Sequence, residues 1–73
     1  MPDFYSAKSV LKALGRAGFK KVSQKGSHIK LRRTSEGRSL TVIVPNHKSL
    51  ARGTFGSILR QADMTKAEFE HFL

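Results

Sequence analysis

The first periodic segment of the chain predicts an amphipathic helix over residues 6–17. Apolar residues recur there at helical spacing, namely at Ala7, Val10, Leu11, Leu14 and Ala17. Ser6 stands where a helix N-cap accepts a hydrogen bond from a free backbone N–H. Gly18 is suited to the left-handed conformation that commonly follows a helix C-terminus. The apolar stripe is typical of a helix that packs on a core.

After Gly18 the hydrophobic period changes to two, which is typical of strands. Three strands are predicted, over residues 19–25, 27–33 and 38–44, with turns at Gly26 and at residues 35–37. Pro45 ends the third strand, because proline has no N–H for a central ladder. Successive side chains of a strand point to opposite faces. One face of the predicted sheet therefore carries Ile29, Leu31, Leu40, Val42 and Val44, and the other carries His28, Lys30 and Arg32.

Residues 46–53 are predicted to form a polar loop that leads into a second helix. Gly53 or Thr54 is its expected cap, and its apolar face has the i, i+3, i+4, i+7 spacing of Phe55, Ile58, Leu59 and Ala62. Thr65 and Glu68 form a capping box, which predicts a short third helix. The order is therefore α-β-β-β-α with a short C-terminal helix. This is an α+β fold in which two helices cover one face of a three-stranded antiparallel sheet.

Charge is the strongest signal in the composition. The chain has 14 Lys+Arg against 5 Asp+Glu, a net charge of +9 over 73 residues. Between Phe4 and Ala62 the only acid is Glu36. A body this basic attracts polyanions, above all the phosphate backbones of nucleic acids. Binding to an anionic membrane needs a basic amphipathic helix with a bulky apolar face, which neither predicted helix has, so we expect no membrane partner.

Several function classes find little support in the sequence. The chain has no cysteine, which excludes disulfides and thiolate chemistry. The three histidines are widely spaced, with no carboxylate cluster nearby, so a metal site is not expected. Ser27 and His28 are neighbours that point to opposite faces, without an orienting acid, and this disfavours a serine hydrolase. Residues 1–15 lack a signal-peptide core, so we expect a cytoplasmic protein. We also expect a single domain over residues 1–73 and no cofactor.

His28 is the best candidate for chemistry. In RNA cleavage the 2′-OH is the nucleophile, so the protein needs only a group that exchanges protons near neutral pH and cations that stabilise the charge on phosphorus. His28, Lys30 and Arg32 form a minimal set of this kind. Three residues on one strand also describe a binding surface. A non-catalytic RNA-binding module, or a DNA- or protein-binding role, therefore stays open from these residues alone.

Two segments resemble the motifs of the HicA (YcfA-like) toxins. Lys25–His28, followed by residues 29–32, resembles the glycine-serine-histidine signature of that family. Residues 52–62 resemble its second motif. In that motif a glycine-threonine pair precedes a helix that ends in a basic-polar-alanine run. Residues 64–69 resemble the tail of YcfA-like members. The likeness covers nearly the whole chain.

The resemblance implies a double-stranded-RNA-binding-domain-like fold and an mRNA interferase toxin of a type II toxin–antitoxin pair, neutralised by a HicB-type antitoxin. It implies that His28 is catalytic. We expect a metal-independent endoribonuclease whose RNA-binding residues are Lys25, Ser27, Lys30, Arg32, His47, Lys48 and Arg52, with Lys20 and Lys21 helping to steer the backbone. Many members have a second histidine directly after the first, where this chain has Ile29. The nearest candidate to take over its work is His47.

Overall fold

The computed structural model describes residues 4–73, so residues 1–3 of the predicted domain 1–73 lie outside the described residues. Six elements follow one another along the chain. They are α1 (Ala7–Arg16), β1 (Lys20–Lys25), β2 (His28–Ser35), β3 (Arg38–Pro45), α2 (Arg52–Gln61) and α3 (Lys66–His71). The order confirms the predicted α+β, double-stranded-RNA-binding-domain-like architecture. Within residues 4–73, no helix has the length and apolar character needed to cross a membrane.

Helix α1 forms where the hydrophobic spacing predicts it. The Ser6 hydroxyl accepts a hydrogen bond from the Ser9 backbone N–H at 3.1 Å, which confirms the N-cap. Gly18 adopts a φ of 103° just after the helix, as the stop signal requires. The fully buried residues of the helix are Ala7, Val10, Ala13 and Leu14, whereas Leu11 and Ala17 are only partly buried.

The three strands form an antiparallel sheet in the order β1-β2-β3, with β2 in the centre. Each connection is a two-residue turn. Gly26 has a φ of 59° at the first position of one turn, as in type II′ turns. Glu36 and Gly37 have φ values of 52° and 78° in the other, as in type I′ turns. The two turns set the register of β2 against both neighbouring strands.

The observed strand ends differ slightly from the predicted ones. β1 starts one residue later than predicted, because Phe19 is already packed in the core, with 3% of its surface exposed. β2 starts at His28 and continues to Ser35, where the tight turn to β3 begins. β3 includes Pro45, which pairs with His28. A proline is tolerated there because β3 is an edge strand.

The predicted start of the second helix is wrong. Gly53 or Thr54 was expected to cap it, but α2 begins at Arg52, and Ala51 is an N-cap without a side-chain hydrogen bond. The reason lies in Leu50, which is 1% exposed and whose N–H donates to the Tyr5 carbonyl at 2.8 Å. This contact draws the predicted polar loop into the core, so the helix can start directly afterwards.

The helices cover one face of the sheet. The strand residues beneath them are those that the alternation predicts: Ile29, Leu31, Val42 and Val44 are buried, and Leu40 is partly buried. β3 is also protected along its free edge, where the Gln61 side-chain oxygen accepts the Ile43 backbone N–H at 2.8 Å. Such cover keeps an edge strand from pairing with other chains.

The short helix α3 closes the core. Its capping box is present as predicted: the Glu68 N–H donates to the Thr65 hydroxyl at 3.1 Å, and the Thr65 N–H donates to the Glu68 carboxylate at 2.9 Å. The hydrogen bond that the Glu68 carboxylate accepts from the Thr65 backbone N–H lowers the pKa of Glu68, because it stabilises the charged form. Phe69 is completely buried and meets the rings of Tyr5 and Phe55 at centroid distances of 5.4 and 5.0 Å. This aromatic cluster joins α3 to α2 and to the segment before α1.

We expect Phe69→Ala to reduce the free energy of unfolding by about 3–5 kcal/mol, the range for deleting a buried aromatic ring. Urea denaturation followed by circular dichroism measures the loss. The matched control is Phe4→Ala, because Phe4 is 48% exposed. Equal destabilisation by the two substitutions would show that Phe69 is not a central core residue.

Candidate active site

His28 lies at the start of β2, on the face of the sheet opposite the helices. The burial pattern along the strand shows this directly. His28 and Arg32 are exposed and Lys30 is half-buried, whereas Ile29 and Leu31 are only 5% and 4% exposed. Since neighbouring side chains of a strand point to opposite faces, the three polar residues share the uncovered side, as the alternation predicts.

The strand register defines the residues around His28. Directly opposed residues of an antiparallel sheet point to the same face. His28 is flanked by Lys25 of β1 and Pro45 of β3. We call the surface formed by three such rows the open face; it consists of Lys25, His28 and Pro45, then Ser23, Lys30 and Ile43, then Lys20, Arg32 and Thr41.

The open face carries four cationic side chains and no carboxylate among these nine residues. The described acids lie elsewhere. Glu36 is in the β2–β3 turn, Asp63 faces Arg38 at 4.0 Å, and Glu68 and Glu70 are on α3. The cations of the open face are therefore not neutralised locally, and the face attracts anions.

Arg32 has a side-chain partner that orients it. Its Nε donates to the Thr41 hydroxyl at 3.4 Å, between opposed residues of β2 and β3. This contact leaves the terminal nitrogens of the guanidinium available. A guanidinium binds two oxygens of a phosphate through parallel hydrogen bonds, so the arrangement suits a phosphate lying on the sheet.

The loop after β3 meets the turn before β2 at the His28 end of the sheet. The Asn46 N–H donates to the Ser27 carbonyl at 2.6 Å. His47 and Lys48 follow, and both are exposed. Three of the predicted RNA-binding residues, Ser27, His47 and Lys48, are thus gathered beside His28, although 20 residues separate Ser27 from His47 in sequence.

Two predicted cations lie away from the open face. Arg52 is exposed at the first position of α2 rather than on the sheet. Lys21 is opposed to Leu31 and therefore points to the same side of the sheet as the helices, although all of β1 is exposed. Its Nζ donates to the Gln24 side-chain oxygen at 2.8 Å. Val22 is the extra residue of a bulge directly after Lys21.

The residue at position 29 has no part in the open face. Ile29 packs beneath the helices and is only 5% exposed. The open face does include Ile43, opposite Lys30, which was not among the predicted site residues. The alternation of Val42, Ile43 and Val44 carries that signal, because it assigns Ile43 to the side opposite the two valines.

The third histidine and the acids do not add to this site. His71 is exposed on α3, with its ring 5.4 Å from that of Phe72. Within the part of the chain that the structure describes, no group of three His, Asp or Glu side chains could hold a metal ion. The chemistry available on the open face is therefore that of one imidazole among ammonium and guanidinium groups.

The fold and the open face together define a small basic domain of double-stranded-RNA-binding-domain-like architecture with an exposed histidine on its sheet. Comparison with protein families gives the class a name. The family described as "HicA toxin of bacterial toxin-antitoxin" matches residues 7–64 of the 73. The chain belongs to the HicA toxin family, a family of mRNA interferase toxins. It is thus the toxin of a toxin–antitoxin pair, which implies an antitoxin partner. A search of curated protein sequences returns no match.

Substitutions of two neighbouring residues of β2 should differ in their effect on stability, because the two side chains lie on opposite faces of the sheet. His28→Ala should change the free energy of unfolding by less than about 0.5 kcal/mol, as expected for an exposed side chain. Ile29→Ala should reduce it by about 2–5 kcal/mol, because it opens a cavity under the helices. Urea denaturation of both variants checks the pair. A larger loss for His28→Ala than for Ile29→Ala would mean that the faces are assigned the wrong way round.

Proposed function

We propose that this chain is an endoribonuclease that cleaves mRNA and thereby arrests translation, with His28 as the catalytic residue. The observation that carries the proposal is the exposed imidazole of His28 on a sheet face with four cations and no carboxylate. Membership of a family of RNase toxins supports the same conclusion. An extended RNA strand is a suitable ligand because the site is a surface rather than an enclosed cavity.

The proposed reaction uses the 2′-OH of the RNA as nucleophile. The 2′-oxygen attacks the adjacent phosphorus, a P–O2′ bond forms, and the P–O5′ bond breaks. The 2′-OH loses a proton and the leaving 5′-oxygen gains one. His28 acts either as the general base for the first transfer or as the general acid for the second, since histidine exchanges protons between pH 5 and 8. A positioned acid or base of this kind contributes about 10²–10⁴ in rate.

The cations supply binding and charge stabilisation. Lys30 and Arg32 lie on the same strand face as His28 and are assigned to the scissile phosphate. Lys25 is directly opposed to His28, and Ser27 precedes it in the turn. Fixed donors next to the phosphorus stabilise the charge that develops in the transition state. His47, Lys48 and Arg52 are assigned to the RNA backbone beyond the scissile phosphate.

We further propose that the antitoxin is of the HicB type and neutralises the toxin by covering the open face. The surplus of positive charge supports this. The open face presents uncompensated cations, and a partner of complementary charge associates faster and more selectively. A partner that covers His28 prevents RNA from reaching the imidazole.

His28→Ala should lower the rate of RNA cleavage by at least about 10², the lower bound for losing a positioned acid or base. RNA affinity should stay close to that of the parent, because the backbone cations remain. Cleavage of a labelled mRNA fragment measures the first quantity, and a gel-shift assay measures the second. Adding EDTA to the parent should leave the rate unchanged, since the proposed reaction needs no metal ion.

The matched control is His71→Ala, which removes an exposed histidine from α3, away from the sheet. It should cleave at the parent rate. Cleavage by His28→Ala at the parent rate would refute the catalytic assignment. A parent protein that binds RNA without fragmenting it would instead indicate a non-catalytic RNA-binding module.

A further inference from the structure

A cleft at the His28 end of the sheet lies between the start of α1 and the loop after β3. Its volume is about 540 Å³, and it is lined by Ser6, Lys8, Asn46, His47 and Lys48. Ligand sites in proteins typically measure roughly 300–1,000 Å³. We infer that this cleft binds the RNA phosphate next to the one that His28 cleaves, and that Lys8 of α1 is one of its two binding cations, with Lys48 as the other.

Backbone hydrogen bonds hold the two walls of the cleft together. The Ala7 N–H of α1 donates to the His47 carbonyl at 2.9 Å. Three residues further on, the Leu50 N–H donates to the Tyr5 carbonyl at 2.8 Å, and both of these side chains are buried. The loop therefore runs beside the start of α1 with a contact at each end. The distance between the walls is set by the fold before any ligand binds.

The binding groups of the cleft are the lysine side chains rather than the end of the helix. Two N–H groups of the first turn already have partners, because Ala7 donates to the His47 carbonyl and Ser9 donates to the Ser6 hydroxyl. Lys8 and Lys48 are both exposed, and no carboxylate lines the cleft. Two uncompensated ammonium groups facing one cleft favour an anion between them.

The cleft adjoins the end of the open face, although none of the nine open-face residues lines it. Pro45 is opposed to His28, and Asn46, the next residue, lines the cleft and is bonded to the Ser27 carbonyl. Consecutive Cα atoms are about 3.8 Å apart, so the cleft starts one residue beyond the row that contains His28. An RNA strand with one phosphate at His28 can place its neighbouring phosphate in the cleft. The inference rests on the proposed function and extends the binding surface from the sheet to α1.

The test compares two lysines of the same helix. Lys8→Gln removes a cation of the cleft. Lys12→Gln is the matched control, because Lys12 is also exposed but lines a different groove, with Arg16 and Phe72. Binding is measured with a short 2′-O-methyl RNA oligonucleotide, which cannot be cleaved because its 2′-oxygens are blocked. The salt dependence of the affinity is measured for each variant.

Lys8→Gln should weaken binding by roughly two- to fivefold at moderate salt, the upper part of the range for loss of an exposed charge contact. The slope of log affinity against log salt should become shallower by about 0.7, the value for one phosphate contact on single-stranded nucleic acid. Lys12→Gln should change neither quantity.

Three outcomes would overturn the inference. If both lysine substitutions weaken binding equally, the cations of α1 act as a diffuse field and the cleft is not a subsite. If both variants bind the oligonucleotide as tightly as the parent does, the cleft does not contact RNA. This result would refute the cleft subsite without contradicting the catalytic role proposed for His28. If the parent neither binds nor cleaves RNA, the proposed function and the inference both fail.

Discussion

The two-residue repeat of β2 is the constraint on which the rest of the structure depends. Ile29 and Leu31 are buried beneath the helices, so His28, Lys30 and Arg32 must face the other way. A shift of the register by one residue would reverse both sets of side chains. The Gly26-Ser27 turn opposes such a shift, because its positive φ at Gly26 fixes the pairing of Lys25 with His28. The apolar core and the basic surface are thus two consequences of a single alternation.

The packing of the helical layer determines which residues lie near His28. Burial of Leu50 and Tyr5 holds the loop after β3 against the segment before α1. The same loop is bonded to the turn before β2 through Asn46 and Ser27. Core packing therefore brings cations from a strand, a loop and a helix to one end of the sheet. A chain this small has no room for a deep pocket, and its site is instead an exposed sheet face extended by a shallow cleft.

Much of the fold could be predicted from the sequence because local signals agree with the tertiary packing. The Ser6 cap, the Thr65–Glu68 capping box and the alternation in β2 and β3 each depend on neighbouring residues, and each is present in the structure. The start of α2 could not be predicted in this way. It depends on a contact between Leu50 and Tyr5, which are 45 residues apart in the chain.

The same distinction holds for the candidate site. The side of the sheet on which His28, Lys30 and Arg32 lie follows from the two-residue alternation along β2. That Lys8 and His47 line the same cleft could not be predicted in this way, because it results from the packing of α1 beside a loop that is distant in sequence. Conversely, Lys21 is close in sequence to the open-face cations but points to the helix side of the sheet. Net charge predicts the class of partner, and only the fold shows which cations share a surface.

The most direct test of RNA binding on the open face uses the imidazole signals of the three histidines. His28 is on the sheet, His47 is in the adjoining loop, and His71 is on α3. In an NMR titration with uncleavable 2′-O-methyl RNA, the ring signals of His28 and His47 should shift together while that of His71 stays in place. A shift confined to His71, with His28 unmoved at saturation, would contradict the account.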